Sequence, residues 1–213
     1  MRYTVISCEP SRQIYVDTIH SVMLGHEFIP TEAVDARIPE QMAAAREKHR
    51  VAIHTDLWTP KAGHIGVWYS MLNAWDHGGP LLHFEDDAIL HPRFHEVLEE
   101  RMSQLPSNTD FYSLFIPRDS DHLYLESMSR SEDLTRPYAS YGGVSMYFTE
   151  RGIDKIHKLL KEQGIWCQWD DWLYRLASNY RLNGFVSKPS KEDLVTITGL
   201  VPSIAQDGAQ YVG

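Results

Sequence analysis

The segment Leu81-Leu82-His83-Phe84 runs without a break into three carboxylates, Glu85-Asp86-Asp87, and this junction constrains the fold more than any other stretch of the chain. The apolar run reads as a short buried strand. Three adjacent carboxylates at its end repel one another unless something compensates. A divalent cation with hard oxygen ligands, Mg²⁺ or Mn²⁺, does so. In open α/β sheets ligands collect beyond the carboxyl ends of strands. In extended chain residues i and i+2 share a face, which points Glu85 and Asp87 at one site and Asp86 elsewhere. A cation there binds the two phosphates of a nucleotide diphosphate and neutralises a leaving group. The same triplet also suits a solvated acidic turn that caps the next helix, and by itself it does not decide between the two.

The flanking pattern is that of an α/β chain. Tyr3 to Ser7 reads as a strand stopped by Glu9-Pro10-Ser11. Arg12 to Leu24 has helical spacing at Ile14, Ile19, Val22 and Met23, with Ser11 as N-cap, and Phe28 to Ala36 reads as a second strand. This opening predicts a doubly wound start. Glu40 to Lys48 is helical. Gly63 to Trp75 is a helix with Ile65, Trp68, Leu72 and Trp75 on one stripe, closed by Gly78-Gly79-Pro80. Further on, Pro92 to Met102 is a helix with Phe94, Val97 and Leu98 inward, and Phe111 to Ile116 a strand. Asp119 to Pro137 is a polar surface excursion and Gly143 to Phe148 a strand. Glu150 to Gln163 and Asp170 to Asn179 are helices, the latter carrying Trp172, Leu173 and Leu176; Phe185-Val186 is a late strand, and Lys188 to Gly213 a loop-like tail. No linker divides the chain, so the expectation is one domain over 1–213, with a nucleotide half to about residue 90 and an acceptor half from about residue 91.

Composition narrows the class. The 213 residues are 43% hydrophobic and 23% charged, as in ordinary globular proteins. Cys8 and Cys167 have no paired spacing and read as free core thiols in a reducing compartment. No window reaches the roughly 18 apolar residues that span a bilayer, and the apolar run at the N-terminus is too short for a signal peptide. The expectation is a cytoplasmic protein without stable membrane insertion, either free, peripheral at a membrane, or viral within a host cytoplasm. A net charge of −9 argues against gripping long nucleic acid by phosphate neutralisation and fits carboxylates gathered around a cation. His54, His64, His77, His83, His91 and His95 match no zinc spacing and read as surface or packing residues.

Gly63-His64-Ile65-Gly66-Val67-Trp68-Tyr69-Ser70-Met71-Leu72-Asn73-Ala74-Trp75, followed by Glu85-Asp86-Asp87-Ala88, resembles family 25 glycosyltransferases, which include lipooligosaccharide and collagen galactosyltransferases. Ala33-Val34-Asp35-Ala36 is similar to that family's A-V-D-G segment, Ala139 to Phe148 to its G-x-x-A-Y strand, and Gln168 to Leu173 to its P-V-D-x-x-L helix start. Pro202 to Gly208 is similar to a closing P-S-x-x-x-H-x-G. His64, Val67, Met71, Gln168 and Asp207 stand where the pattern has Glu, Cys, His, Pro and His.

The resemblance implies a GT-A type fold, a single Rossmann-like α/β domain with a mixed, mainly parallel sheet flanked by helices. It implies inverting transfer of a hexose from a nucleotide diphosphate sugar, UDP-linked, to a hydroxyl on a glycan, a protein or a modified nucleobase, assisted by Mn²⁺ or Mg²⁺. In that frame Asp87 ligates the metal directly, Glu85 acts through the metal or its waters, and Asp86 contacts ribose or sugar. Asp207 is a second metal candidate, or a turn residue before Gly208. Asp35 binds the nucleoside or caps a helix. Ser7, Glu9 and Arg12 frame the base or diphosphate, with a solvated helix face as the alternative for Arg12. Lys61 reaches the diphosphate or faces solvent. Asp170 and Asp171, flanked by Trp169 and Trp172, are the candidate bases beside a stacked sugar, or acidic residues favoured at a helix N-terminus. Two other classes stay open at this point: a metal-dependent phosphoryl hydrolase or nuclease, and a non-catalytic binding module.

Overall fold

A computed structural model describes residues 1–115, 134–137, 142–187 and 195–197. In chain order the elements are β1 (Arg2–Ile6), a 3-10 turn (Pro10–Arg12), α1 (Gln13–Val22), β2 (Glu27–Phe28), α2 (Pro39–His49), α3 (Ala62–Trp75), β3 (Leu81–Glu85), β4 (Ala88–Leu90) and α4 (Phe94–Ser103). They continue with β5 (Phe111–Ser113), β6 (Leu134–Thr135), β7 (Ser145–Phe148), α5 (Glu150–Gln163), α6 (Trp169–Ser178), β8 (Gly184–Ser187) and β9 (Val195–Ile197).

Seven strands form one mixed sheet in the order β2-β1-β3-β7-β5-β8-β6. β1 is parallel to β2 and β3, β5 is parallel to β8, and only β7 and β6 run against the rest. The sheet therefore crosses both halves of the chain, joined where β3 pairs with β7. Helices cover both faces. Val16 and Ile19 of α1 and Phe94, Val97 and Leu98 of α4 pack with Tyr3, Val5, Leu82 and Phe84 on one side. On the other, α3, α5 and α6 pack with Leu81, Phe111, Met146 and Phe148. The period-2 alternation of strands accounts for this sorting along β3: Leu82 and Phe84 face α1 and α4, while Leu81, His83 and Glu85 face α3 and α6.

Helix α3 is the central packing element, with eleven of its fourteen residues buried. Such a helix must be apolar nearly all round, and it is. Gly66 lets it approach the 29–36 segment, since a Cβ there would lie 2.7 Å from the Val34 carbonyl oxygen. Helix α5 starts at a capping threonine, Thr149, whose Oγ1 accepts from the Gly152 N–H at 3.0 Å. No helix among the described residues is long and apolar enough to cross a membrane.

Several expectations need correcting. The second strand stops at Phe28 rather than reaching Ala36. Pro30 offers no N–H to a ladder, and side chains satisfy the next donors: the Val34 N–H donates to Ser70 Oγ and the Asp35 N–H to Gln41 Oε1, both at 2.8 Å. Ser11 is no cap, because the chain enters α1 through the 3-10 turn begun by Pro10. The inward stripe of α1 is Val16, Ile19 and Met23, which leaves Ile14 about 200° away from Val16 around the helix and 68% exposed. The 119–137 excursion ends in buried structure, since Leu134 and Thr135 pair with β8 as an edge strand. The tail is not all loop: Val195–Ile197 pairs antiparallel with Ala88–Leu90, directly after the acidic triplet.

Candidate functional site

The chain passes from β1 to β2 on one side of the sheet and then returns to place β3 on the other side of β1. Strand order thus reverses between the parallel neighbours β1 and β3, paired in register from Tyr3–Leu82 to Ile6–Glu85. Loops leaving two such strands diverge and open a crevice beyond their carboxyl ends. A cavity of about 280 Å³ lies there, close to the lower limit for ligand sites. Its floor is Ile6, His83 and Glu85 from the sheet; Cys8, Arg12 and Asp86 come from the strand ends, Gly63, His64, Val67 and Ser70 from α3. Gly142, Gly143, Gln168, Trp169 and Asp170 close it from the far half of the chain.

Asp86 is clamped. Arg12 Nη1 donates to its Oδ1 at 2.6 Å and Ser7 Oγ to its Oδ2 at 2.8 Å, so one buried network ties the β1 loop, the start of α1 and the end of β3 together. Asp87 Oδ2 lies 3.5 Å from the same guanidinium nitrogen, while its Oδ1 is buried without a hydrogen-bond partner among the described residues. Burial works against the charge on Arg12, but the hydrogen bond to Asp86 and the charges of Asp86, Asp87 and Glu85 outweigh it and hold the guanidinium protonated. Glu85 is held well above the usual carboxylate range, first by burial, then by the charges of Asp87, Asp170 and Asp86, with Arg12 opposing. Burial likewise raises Asp87.

Asp170 and Asp171 part company. Asp170 is buried on the cavity wall; its Oδ2 accepts from the Gly142 N–H at 2.6 Å and its Oδ1 from the Asp171 N–H at 2.9 Å. Burial raises its pKa, and those backbone donors only partly offset the effect. Asp171 turns outward and accepts from Arg175 Nε at 2.8 Å, four residues along the helix. Trp169 walls the cavity against Gly143, where a Cβ would fall 1.9 Å from the indole ring. Trp172 is fully buried in the core against Trp68, ring centroids 5.6 Å apart, and does not line the cavity.

The remaining candidates are peripheral. Asp35 sits between the wall residues Val34 and Ala36, but its carboxylate is taken by Arg37, which also donates to the Cys8 carbonyl and Glu9. The Arg37 hydrogen bonds keep Asp35 below the usual carboxylate range. Lys61 is the N-cap residue of α3; its N–H donates to His64 Nδ1 at 3.3 Å, and the Lys61 side chain is not part of the cavity lining. Asp207 lies outside the described residues.

Metal binding was expected at the triplet. Among the described residues no group of three or more His, Cys, Asp or Glu side chains is placed to cage an ion. A cation carried mainly by substrate phosphates needs only one or two carboxylates; Glu85 lines the cavity, while Asp87, whose Oδ1 is buried without a hydrogen-bond partner among the described residues, is not part of that lining.

Four lining residues were not expected there: the sequence reads His64 and His83 as surface or packing residues, Cys8 as a core thiol and Gly143 only as the start of a strand. His83 is the only polar residue inside the apolar run of β3, which was the available signal. Its pKa is pushed down to about 3 by burial, so it is neutral across the physiological range. Cys8 is half-buried on the wall rather than in the core, and burial with the charges of Asp35 and Asp86 raises its thiol to about 11. At pH 7 only about 1 in 10⁴ of such thiols is ionised. Iodoacetamide labelling of the folded protein is therefore expected to be slow at Cys8 near neutrality and to rise about tenfold per pH unit up to its pKa, as followed by mass spectrometry; rapid labelling at pH 7 contradicts this.

Compared with known proteins, the chain matches no family model and no curated protein.

Proposed function

We propose that the protein is a GT-A type glycosyltransferase that moves a hexose from a nucleotide diphosphate sugar, UDP-linked, to an acceptor hydroxyl with inversion. One observation carries this reading: the ends of β1 and β3, where strand order reverses, meet a buried carboxylate from the far half of the chain, Asp170, across a single cleft. The donor's nucleotide lies along the β1 and β3 loops, its diphosphate toward Glu85 and Asp87. A Mg²⁺ or Mn²⁺ ion held by these two carboxylates supplies positive charge against the departing diphosphate.

The protein's own groups do the rest. Asp86, fixed by Ser7 and Arg12, presents a rigid acceptor to the ribose or sugar. The Gly142 and Asp171 N–H groups orient Asp170 and leave it lone pairs for an incoming hydroxyl. The acceptor's O–H proton passes to Asp170 as its oxygen bonds the anomeric carbon. On the opposite face the bond from that carbon to the diphosphate oxygen breaks, and the electron pair leaves with the nucleotide. A raised pKa makes Asp170 a stronger base than an exposed aspartate.

The test is donor hydrolysis with Mn²⁺. Release of UDP from UDP-glucose or UDP-galactose supports a transferase. Ligand-induced stabilisation without any release indicates a binding module, and phosphate release from a sugar-free phosphomonoester indicates the hydrolase.

A further inference from the structure

His83 is fully buried on β3, and neither Nδ1 nor Nε2 has a hydrogen-bond partner among the described residues. Buried polar side chains are nearly always paired, so each exception calls for an explanation. Its cross-strand neighbours do not supply one. Thr4, opposite on β1, donates its hydroxyl proton to Thr31 Oγ1 at 2.7 Å, and Met146, opposite on β7, offers no donor. The ring meets Trp169 edge to face, centroids 5.6 Å apart, a packing role that an apolar residue fills without leaving polar atoms unsatisfied. What the ring does border is the cavity, on the same face of β3 as Glu85 and two residues deeper into the sheet.

We infer that His83 reads the transferred group: its imidazole, one donor and one acceptor, hydrogen-bonds a hydroxyl of the sugar at the cavity floor. This rests on the nucleotide-sugar reading of the cleft and adds to it a residue that sets preference for the sugar nucleotide over the bare nucleotide. A site that pairs a buried polar group with a ligand hydroxyl discriminates against ligands lacking it, because the protein group is then left unpaired. In the free protein the same ring is a source of instability, so function and stability pull in opposite directions at this position.

The experiment measures Kd for UDP, UDP-glucose and UDP-galactose with Mn²⁺ by calorimetry, on the wild type, His83→Leu and His83→Gln, together with ligand-free melting temperatures. Wild type is expected to prefer one UDP-hexose over UDP by about 10-fold or more, the size of one well-made polar contact. His83→Leu keeps UDP binding, loses that preference, and melts about 2–4 °C higher. His83→Gln, which retains a donor and an acceptor, keeps part of the preference. An unchanged preference in His83→Leu overturns the inference, as does a His83→Leu chain that melts lower or fails to fold. If wild type binds none of the three ligands, the proposed function falls and takes this inference with it. UDP binding with an unaltered preference in the variant removes the inference alone.

Discussion

Arg12→Met is expected to lower the free energy of unfolding by about 3–5 kcal/mol, the usual consequence of removing one partner of a buried ion pair. The side chains of Arg12 and Asp86 are 6% and 9% exposed, and Asp87 leans on the same guanidinium. Among the described residues, methionine keeps much of the buried stem but leaves Asp86 with only the Ser7 hydroxyl and Asp87 with no cation. Urea unfolding checks this. The double variant Arg12→Met/Asp86→Leu is expected to recover most of the loss, because a buried pair replaced by apolar residues of similar size is often neutral. Arg37→Met, at a guanidinium about half exposed, should change stability by only about 1 kcal/mol or less. A loss below about 1 kcal/mol for Arg12→Met shows the network to be solvated and refutes the account of the strand ends given above.

Asp170→Asn is expected to reduce kcat about 10²- to 10⁴-fold, the range for removing a positioned general base. Asp171→Asn is expected to leave kcat within a few-fold, because its carboxylate is spent on Arg175 outside the cleft. Asparagine fits the space and its carbonyl can still accept from one of the two backbone N–H groups, so circular dichroism should show both variants folded. The raised pKa of Asp170 fixes the sign of the pH effect. The base is active when ionised, so activity falls as pH drops, with a midpoint above the roughly 3.9 of an ordinary aspartate. Equal losses for the two variants contradict the assignment of the base.

The sheet was legible wherever the sequence changed period abruptly. The apolar stretch of β3 entering the triplet, the Ile65–Trp75 stripe and the Thr149-capped helix α5 all stand where the pattern puts them. Short or edge elements were not legible. β2 and β6 have two residues each, too few for alternation to register, and β9 is defined by a partner far away in sequence. At the site, spacing located the carboxylates but not their partners. Strand periodicity puts Glu85 and Asp87 at one site and Asp86 elsewhere, yet Glu85 and Asp86 both line the cavity and Asp87 does not, and nothing local says that Arg12 and Ser7 would capture Asp86. Asp170 and Asp171 are indistinguishable in sequence, and only the approach of Gly142 and of Arg175 separates them. His64, Val67 and Gln168 line the cavity, whereas Met71 is core, a division that sequence alone does not show.

The account depends on a nucleotide diphosphate docking at the carboxyl ends of β1 and β3, its charge met by a cation on Glu85 and Asp87. Calorimetric titration of UDP into the wild type, Glu85→Gln and Asp87→Asn, with and without Mn²⁺, addresses it directly. The predicted result is saturable binding by the wild type that requires Mn²⁺ and weakens about 10-fold or more, roughly 1.4 kcal/mol, in each variant. Wild-type protein that binds no UDP with Mn²⁺, or variants that bind it as well as the wild type does, would contradict the claim.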